Sequence, residues 1–74
     1  MAHQTLDARG LSCPVPIFRT NKALKEMASG QTLAVMATDP GSAKDFVAFC
    51  SQTGHQLVKA FNDGRVFYYE IKKV

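Results

Sequence analysis

The strongest candidate for chemistry in this chain is Cys13, which lies in the run GLSCPVP (residues 10–16), directly before a strong helical pattern. Pro14 suits the first position of a helix, because its missing N–H costs nothing there and its fixed φ already fits. Cys13 is then expected as the N-cap, with its sulfur facing unpaired backbone N–H groups and the positive end of the helix dipole. This setting predicts a thiol pKa below the ordinary value and a Cys13 that acts as a nucleophile or a sulfur carrier.

The second cysteine, Cys50, favours a structural interpretation. Free cysteines are among the most buried side chains, and Cys50 falls on a predicted helical stripe with Ala43, Phe46 and Val47 that would face the sheet. Cys13 differs because a core cysteine gains nothing from a position at a helix start. The chain has no CxxC pair, so sulfur bound to Cys13 has no neighbouring thiol to discharge it.

His55 follows the predicted helix stop at Gly54, and two interpretations stay open. The imidazole could be an acid–base group or a partner contact, but a histidine at a helix end more often caps carbonyls. A metal site built from Cys13, Cys50 and His55 is not expected, because the ligands are sparse and lack a recognised spacing. We therefore predict neither a metal nor a cofactor.

A basic surface is predicted on the outward face of the first helix, where Arg19, Lys22, Lys25 and Glu26 share one side. Phe18 lies alongside Lys22 and Lys25, and an aromatic ring off the core stripe is typical of a partner contact. With Arg9 in the preceding loop, these residues predict a basic rim close to Cys13 that steers an acidic partner or a tRNA phosphate. A merely solvated helix face is the alternative. Pro14 and Pro16 are expected to stiffen the first turn and hold the sulfur outward.

Length and composition limit the possible classes of protein. The 74 residues are expected to form a single domain, residues 1–74, too small to enclose a deep substrate cavity. Chemistry would therefore occur near the surface, with a partner protein completing the site. The net charge of +3 suggests acidic partners but is too small to indicate nucleic-acid binding by itself. Two widely spaced cysteines, no signal-peptide pattern and no long apolar run predict a cytoplasmic protein without membrane contact.

The hydrophobic pattern predicts the order βαβαββ, with two helices on one face of a four-stranded mixed sheet. Ser42 and Asp45 are spaced as a capping box for the second helix. Asp63-Gly64 predicts a two-residue hairpin turn in which Asn62 pairs with Arg65. The predicted strands are 4–8, 31–37, 56–62 and 65–73, and the predicted helices are 14–28 and 42–53.

The string LDARGLSCPVP (residues 6–16) resembles the signature of the TusA family of sulfur-carrier proteins, also called the SirA-like family. A CPxP motif at this position is quite specific to the family, and the similarity covers nearly the whole chain. The resemblance implies a two-layer α/β sandwich like the C-terminal domain of translation initiation factor 3. The similarity continues through Lys22, Gly30, the turn Thr38-Asp39-Pro40, Asp45, Phe49-Cys50 and Gly54-His55.

The same resemblance implies a sulfurtransferase activity. Cys13 would accept sulfane sulfur from a cysteine desulfurase or a rhodanese-like donor, carry it as a persulfide, and pass it to a DsrE-type acceptor. Such a sulfur relay ends in tRNA 2-thiouridine synthesis or in oxidative sulfur metabolism, and other relatives are tied to selenium. Two alternatives stay open: a nucleic-acid-binding or regulatory module indifferent to Cys13, and a thiol redox protein with a Cys13–Cys50 bond.

Overall fold

A computed structural model describes residues 3–74 of the chain. The elements follow the predicted order βαβαββ, and five of the six begin and end within one residue of the prediction; α1 ends three residues earlier than predicted. The strands are β1 (Gln4–Ala8), β2 (Thr32–Ala37), β3 (Gln56–Asp63) and β4 (Val66–Lys72), and the helices are α1 (Val15–Lys25) and α2 (Ser42–Thr53).

The four strands form one mixed sheet in the order β1-β2-β4-β3. β1 is parallel to β2, whereas β4 pairs antiparallel with both β2 and β3. Both helices pack on one face of this sheet and contact each other, which confirms the predicted two-layer α+β class. β1 is an edge strand, as predicted. Because β1 and β2 are parallel, the loops that follow them lie at the same end of the sheet, and these loops lead into α1 and α2.

The core lies between the sheet and the two helices. α1 contributes Thr20 and Leu24 to this core, and Met27 is buried there just after the helix ends. α2 is rotated relative to the prediction, because burying the rings of Phe46 and Phe49 removes more apolar surface from water than burying smaller side chains would. The buried residues of α2 are Ser42, Phe46, Phe49 and Cys50, while the predicted core positions Ala43 and Val47 are exposed.

A buried contact ties the first turn of α2 to β4. The Phe46 ring stacks on the Tyr69 ring with centroids 4.5 Å apart, and the hydroxyl groups of Ser42 and Tyr69 share a 2.7 Å hydrogen bond. The predicted capping box is therefore wrong. The N-cap is Gly41, and no side chain caps the helix, since the Ser42 hydroxyl is directed into the core.

The β3–β4 hairpin differs from the prediction in register. Asp63 pairs with Val66, so Gly64-Arg65 forms the two-residue turn, and Gly64 adopts a φ of +64°. A bulge between Leu57 and Lys59 then places Leu57 opposite Ile71. The bulge allows Leu57 to pack against the core, and Val58 is left exposed.

Within residues 3–74, no helix or strand covers the sheet face opposite the two helices. Phe61 and Tyr68 stack on it with ring centroids 5.0 Å apart. Two ion pairs flank these rings: Lys59 with Glu70 at 4.0 Å, and Arg9 with Asp7 at 2.9 Å. Lys59 and Arg9 are thus each paired with a neighbouring carboxylate, whereas Lys72 on the same face forms no ion pair within residues 3–74. Neither helix within residues 3–74 is long and apolar enough to cross a membrane.

Thr20 carries the only buried side-chain polar atom without a hydrogen-bond partner in residues 3–74. Replacing Thr20→Val keeps the shape of the side chain and removes a desolvated hydroxyl. We expect the free energy of unfolding to rise by about 1 kcal/mol, seen as a Tm about 4–8 °C higher in thermal melts. Thr53→Val is the matched control, because the Thr53 hydroxyl donates to Phe49 O at 2.8 Å and its loss brings no gain. A Thr20→Val protein no more stable than Thr53→Val contradicts this account.

The Arg9 side chain lowers the pKa of Asp7 from 3.8 to about 2, because its hydrogen bonds stabilise the carboxylate. Since the folded pKa is depressed, the stabilisation is present above pH 3.8 and is lost as the pH falls toward 2. In Arg9→Gln, the carboxyl of Asp7 should titrate closer to 3.8 in an NMR pH titration. Arg19→Gln, which removes an exposed arginine from α1, should leave Asp7 unchanged. Equal Asp7 titrations in wild type and Arg9→Gln count against the ion pair.

Candidate functional site

Cys13 lies at the end of the sheet where α1 begins, and its side chain is exposed. The N-cap of α1 is Pro14, with Val15 as the first helical residue, so the prediction of Cys13 as N-cap is wrong. A turn precedes the helix, in which Val15 N–H donates to Ser12 O at 3.0 Å. The Cys13–Pro14 peptide bond is cis. The thiol therefore lies one residue short of the cap and does not bond to the first N–H groups of α1.

Two carboxylates surround the thiol. The sulfur of Cys13 and one oxygen each of Asp39 and Asp45 all lie within 4.8 Å of one another. Asp39 belongs to the loop after β2, and Asp45 lies in the first turn of α2. The site is thus assembled by three separate segments that meet at one end of the sheet.

These carboxylates raise the pKa of Cys13, against our prediction that it would be lowered. The largest cause is the hydrogen bond to the Asp45 carboxylate, followed by partial desolvation of the exposed sulfur and by the charges of Asp45 and Asp39. A helix N-terminus offers only about half a positive charge, and its effect fades within the first turn. Two full negative charges within 4.8 Å outweigh it at a sulfur that lies outside the cap.

A groove between α1 and α2 starts at Cys13 and has a volume of about 230 Å³. Its walls are mainly apolar, and two polar side chains, Asp45 and Gln52, line it on the α2 side. Pockets that enclose small-molecule ligands are commonly about 300–1,000 Å³, so this groove better suits a segment of a partner protein. The lining residues are Cys13, Pro14, Ile17, Asp45, Ala48, Phe49 and Gln52.

The predicted basic rim is only partly present. Phe18 is 65% exposed, and Lys22 and Lys25 are exposed on the same helix, as predicted. Arg9 does not join them, because its guanidinium lies over the open sheet face and bonds both carboxylate oxygens of Asp7 at 2.9 Å. The strong local pairing with Asp7, two residues away, decides where Arg9 lies.

The two prolines of the CPxP motif have different surroundings. Pro14 is exposed and lines the groove beside the thiol. Pro16 is buried in the first turn of α1. The fixed φ of both residues restricts the backbone on either side of Val15, which limits the positions available to Cys13.

Cys50 is a buried core residue, as predicted, and burial raises the pKa of its thiol. We expected His55 to cap the carbonyls of α2, but it does not. Gly54 ends the helix in the left-handed conformation, with its N–H donating to Cys50 O at 2.9 Å. The His55 Nδ1 instead accepts a 3.3 Å hydrogen bond from Val74 N–H, and burial followed by the charge of Lys73 lowers the pKa of the imidazole.

One group of residues with metal-ligand atoms comes together in residues 3–74, and it is Cys13 with Asp39 and Asp45. One sulfur and two carboxylates fall short of the four nitrogen or sulfur ligands typical of structural zinc. The arrangement suits thiol chemistry better, since the cysteine is exposed and the carboxylates can exchange a hydrogen bond with it.

Asp39 and Asp45 are the functional candidates that the sequence analysis did not identify. Both belong to the pattern shared with the TusA family, but we interpreted them as a turn residue and a helix cap. Helical spacing could have identified Asp45, because it shares one face of α2 with Phe49 and Gln52. That face lines the groove next to Cys13.

Comparison with known proteins identifies the family. A family model described as sulfurtransferase TusA matches residues 4–73. The chain is 56% identical to the sulfur carrier protein TusA of Allochromatium vinosum, covering 95% of this chain and 92% of that protein. It is 41% identical to the sulfur carrier protein TusA of Pseudomonas entomophila, covering 93% and 86%.

The fold agrees with these sequence matches. The crystal structure of a SirA-like protein from Desulfitobacterium hafniense superposes with a TM-score of 0.82 at 28% identity, covering 93% of this chain and 95% of that one. The CPxP cysteine, the sheet order and the nearly complete overlap with named sulfur carriers lead to one conclusion: this chain belongs to the TusA, or SirA-like, family.

Proposed function

We propose that this protein is a cytoplasmic sulfur carrier that accepts sulfane sulfur on Cys13 as a persulfide and delivers it to a partner protein. The observation that carries the proposal is the contrast between the two thiols. Cys13 is exposed at the mouth of a groove, whereas Cys50 is buried in the core. The membership of the chain in a family of sulfur carriers supports the same role. We treat residues 1–74 as one domain in this proposal.

The transfer is a thiol exchange at sulfur. The thiolate of Cys13 attacks the terminal sulfur of a persulfide on the donor, because the thiolate is the nucleophilic form. The bond between the two donor sulfurs breaks, the donor cysteine leaves as a thiolate, and Cys13 holds the terminal sulfur. A cysteine of the acceptor then attacks that sulfur and releases Cys13. No net oxidation occurs, so this step needs no cofactor.

The groove gives this chemistry its specificity. A donor or acceptor must bring a reactive cysteine to an exposed sulfur, and the apolar wall formed by Pro14, Ile17 and Phe49 offers a surface for the segment that carries it. We propose a cysteine desulfurase or a rhodanese-like protein as the donor, and a DsrE-type sulfur carrier as the acceptor. The relay would serve tRNA 2-thiouridine synthesis or oxidative sulfur metabolism.

The other hypotheses receive less support from the structure. A thiol redox protein would need Cys50 to reach Cys13, but Cys50 is a buried core residue. A nucleic-acid-binding module would need unpaired cations beside the Phe61–Tyr68 stack. Lys59 and Arg9, the cations that flank this stack, are paired with carboxylates. The sulfur-carrier function therefore accounts best for the described residues.

Cys13→Ser should abolish sulfur loading without loss of the fold. After incubation with a cysteine desulfurase and cysteine, or with a rhodanese and thiosulfate, the intact mass of wild type should rise by one sulfur atom. A thiol reductant should remove the added mass, and Cys13→Ser should show no gain. Cys50→Ala is the matched control and should load, since its thiol is buried in the core. Loading of Cys13→Ser from either donor contradicts the proposal.

The outward surface of α1 formed by Phe18, Lys22 and Lys25 should bind the protein donor. We expect Phe18→Ala and Lys22→Glu each to slow loading from a cysteine desulfurase about tenfold, since exposed aromatic and cationic side chains dominate many interfaces. Loading from inorganic polysulfide should not change, because that reaction needs no docking. Val58→Ala and Lys72→Glu, both at exposed positions on the sheet, are the controls. Equal loss with both sulfur sources would exclude a docking role for this surface.

A further inference from the structure

The charged groups around Cys13 are negative, whereas those around a thiol of lowered pKa are positive. The groups that face its sulfur are Asp45 from α2 and Asp39 from the loop before it. A reactive cysteine usually lies beside a lysine, an arginine or a protonated histidine. This chain contains lysines and arginines, but the charged groups that act on the Cys13 sulfur are carboxylates.

Within residues 3–74, none of the nearby cations pairs with Asp39 or Asp45. The Arg9 guanidinium is bound to Asp7 over the open sheet face. Arg19, Lys22 and Lys25 are exposed on α1, roughly 6, 10 and 15 Å along the helix from its start at 1.5 Å per residue, and none of them forms an ion pair within residues 3–74. Lys44 precedes Asp45 in α2, is exposed, and forms no ion pair within residues 3–74. Within residues 3–74, no cation therefore forms an ion pair with the acidic pair beside the sulfur.

We propose that Asp45, together with Asp39, is an electrostatic gate that holds Cys13 as a thiol in the free protein, and that a partner opens the gate by placing a lysine or arginine side chain against the two carboxylates. The inference rests on the proposed sulfur-carrier function and describes how that site is regulated. Asp45 acts through the sulfur of Cys13 and is a positioning residue in this account.

The gate follows from the chemistry of an exposed sulfur. A thiolate at the surface reacts with oxidants and with any accessible disulfide, whereas the thiol does not. A carboxylate that accepts the thiol hydrogen bond stabilises the neutral form, and the neighbouring charge opposes the anion. The same two charges oppose the anion of a persulfide on Cys13.

When the gate opens, the Cys13 sulfur loses its proton and can react with the donor. A cation from the partner pairs with Asp45 and Asp39, and the proton leaves the Cys13 sulfur. The new bond forms between this sulfur and the terminal sulfur of the donor persulfide, while the donor S–S bond breaks. The donor cysteine leaves as a thiolate and takes up a proton from solvent. Protons and electrons balance, and no oxidant is required.

The proposal specifies the charge pattern of the partner. Its reactive cysteine must be accompanied by a lysine or arginine, to meet Asp39 and Asp45 at the groove. The surface that lies over α1 should be acidic, because Lys22 and Lys25 are exposed there. The binding surface of this chain is therefore bipolar, with its negative end at the sulfur.

Alkylation of Cys13 tests the gate without a sulfur donor. Wild type, Asp45→Asn, Asp45→Lys and the control Glu26→Gln are treated at pH 7 with neutral iodoacetamide and with anionic iodoacetate. Modification is read on the peptide that contains Cys13. We expect Asp45→Asn to react about fivefold faster with iodoacetamide, given one charge removed at this distance. The gain with iodoacetate should be larger, and Asp45→Lys should exceed Asp45→Asn with both reagents.

Glu26→Gln removes a carboxylate roughly 15 Å along α1 from its start and should match wild type. Asp45 lies in the first turn of α2, where a negative charge stabilises the helix, so thermal melts must show that each variant is folded. Asp39→Asn, which lies outside the helix, is the second variant if Asp45→Lys unfolds. Equal alkylation of wild type and Asp45→Asn, or no further gain with Asp45→Lys, overturns the gate.

Sulfur loading of the same variants separates the gate from the proposed function. Asp45→Lys should load faster than wild type from inorganic polysulfide, but more slowly from a cysteine desulfurase, because its new cation repels that of the partner. A parallel loss with both donors overturns the gate. If wild type loads from neither donor, the sulfur-carrier function fails, whatever the alkylation rates are. If wild type loads but alkylation does not respond to Asp45, only the gate fails.

Discussion

The position of α2 on the sheet is the constraint on which the candidate site depends. The stacked rings of Phe46 and Tyr69 and the buried hydrogen bond between Ser42 and Tyr69 fix the first turn of this helix against β4. Asp45 lies within that anchored turn, and the same helix supplies one wall of the groove. A shift of α2 would therefore change both the charge beside Cys13 and the surface offered to a partner.

The site combines an exposed nucleophile with surroundings that keep it neutral. The start of α1 brings Cys13 to the surface, while Asp39 and Asp45 arrive from the other side of the groove. A sulfur carrier should react only with its donor and its acceptor, whereas an enzyme reacts with every substrate molecule that it binds. An environment that raises the thiol pKa suits this task, since reactivity then depends on what the partner contributes.

The elements were predictable because their signals are local. Period-two and helical patterns, together with the stop at Gly54, predicted the order of strands and helices and the buried state of Cys50. The features that could not be predicted depend on contacts between distant segments. The pairing of Leu57 with Ile71 needs a bulge that no turn signal encodes. The acidic surroundings of Cys13 arise only when the loop after β2 and the first turn of α2 meet α1.

The most direct test of the account locates the carried sulfur by peptide mapping. Wild type loaded from a cysteine desulfurase is blocked with an alkylating reagent and cleaved with trypsin, which separates the Cys13 peptide (residues 10–19) from the Cys50 peptide (residues 45–59). The account predicts that the added sulfur is found on the Cys13 peptide alone. Sulfur on the Cys50 peptide, or on neither peptide of a protein whose donor is active, would contradict it.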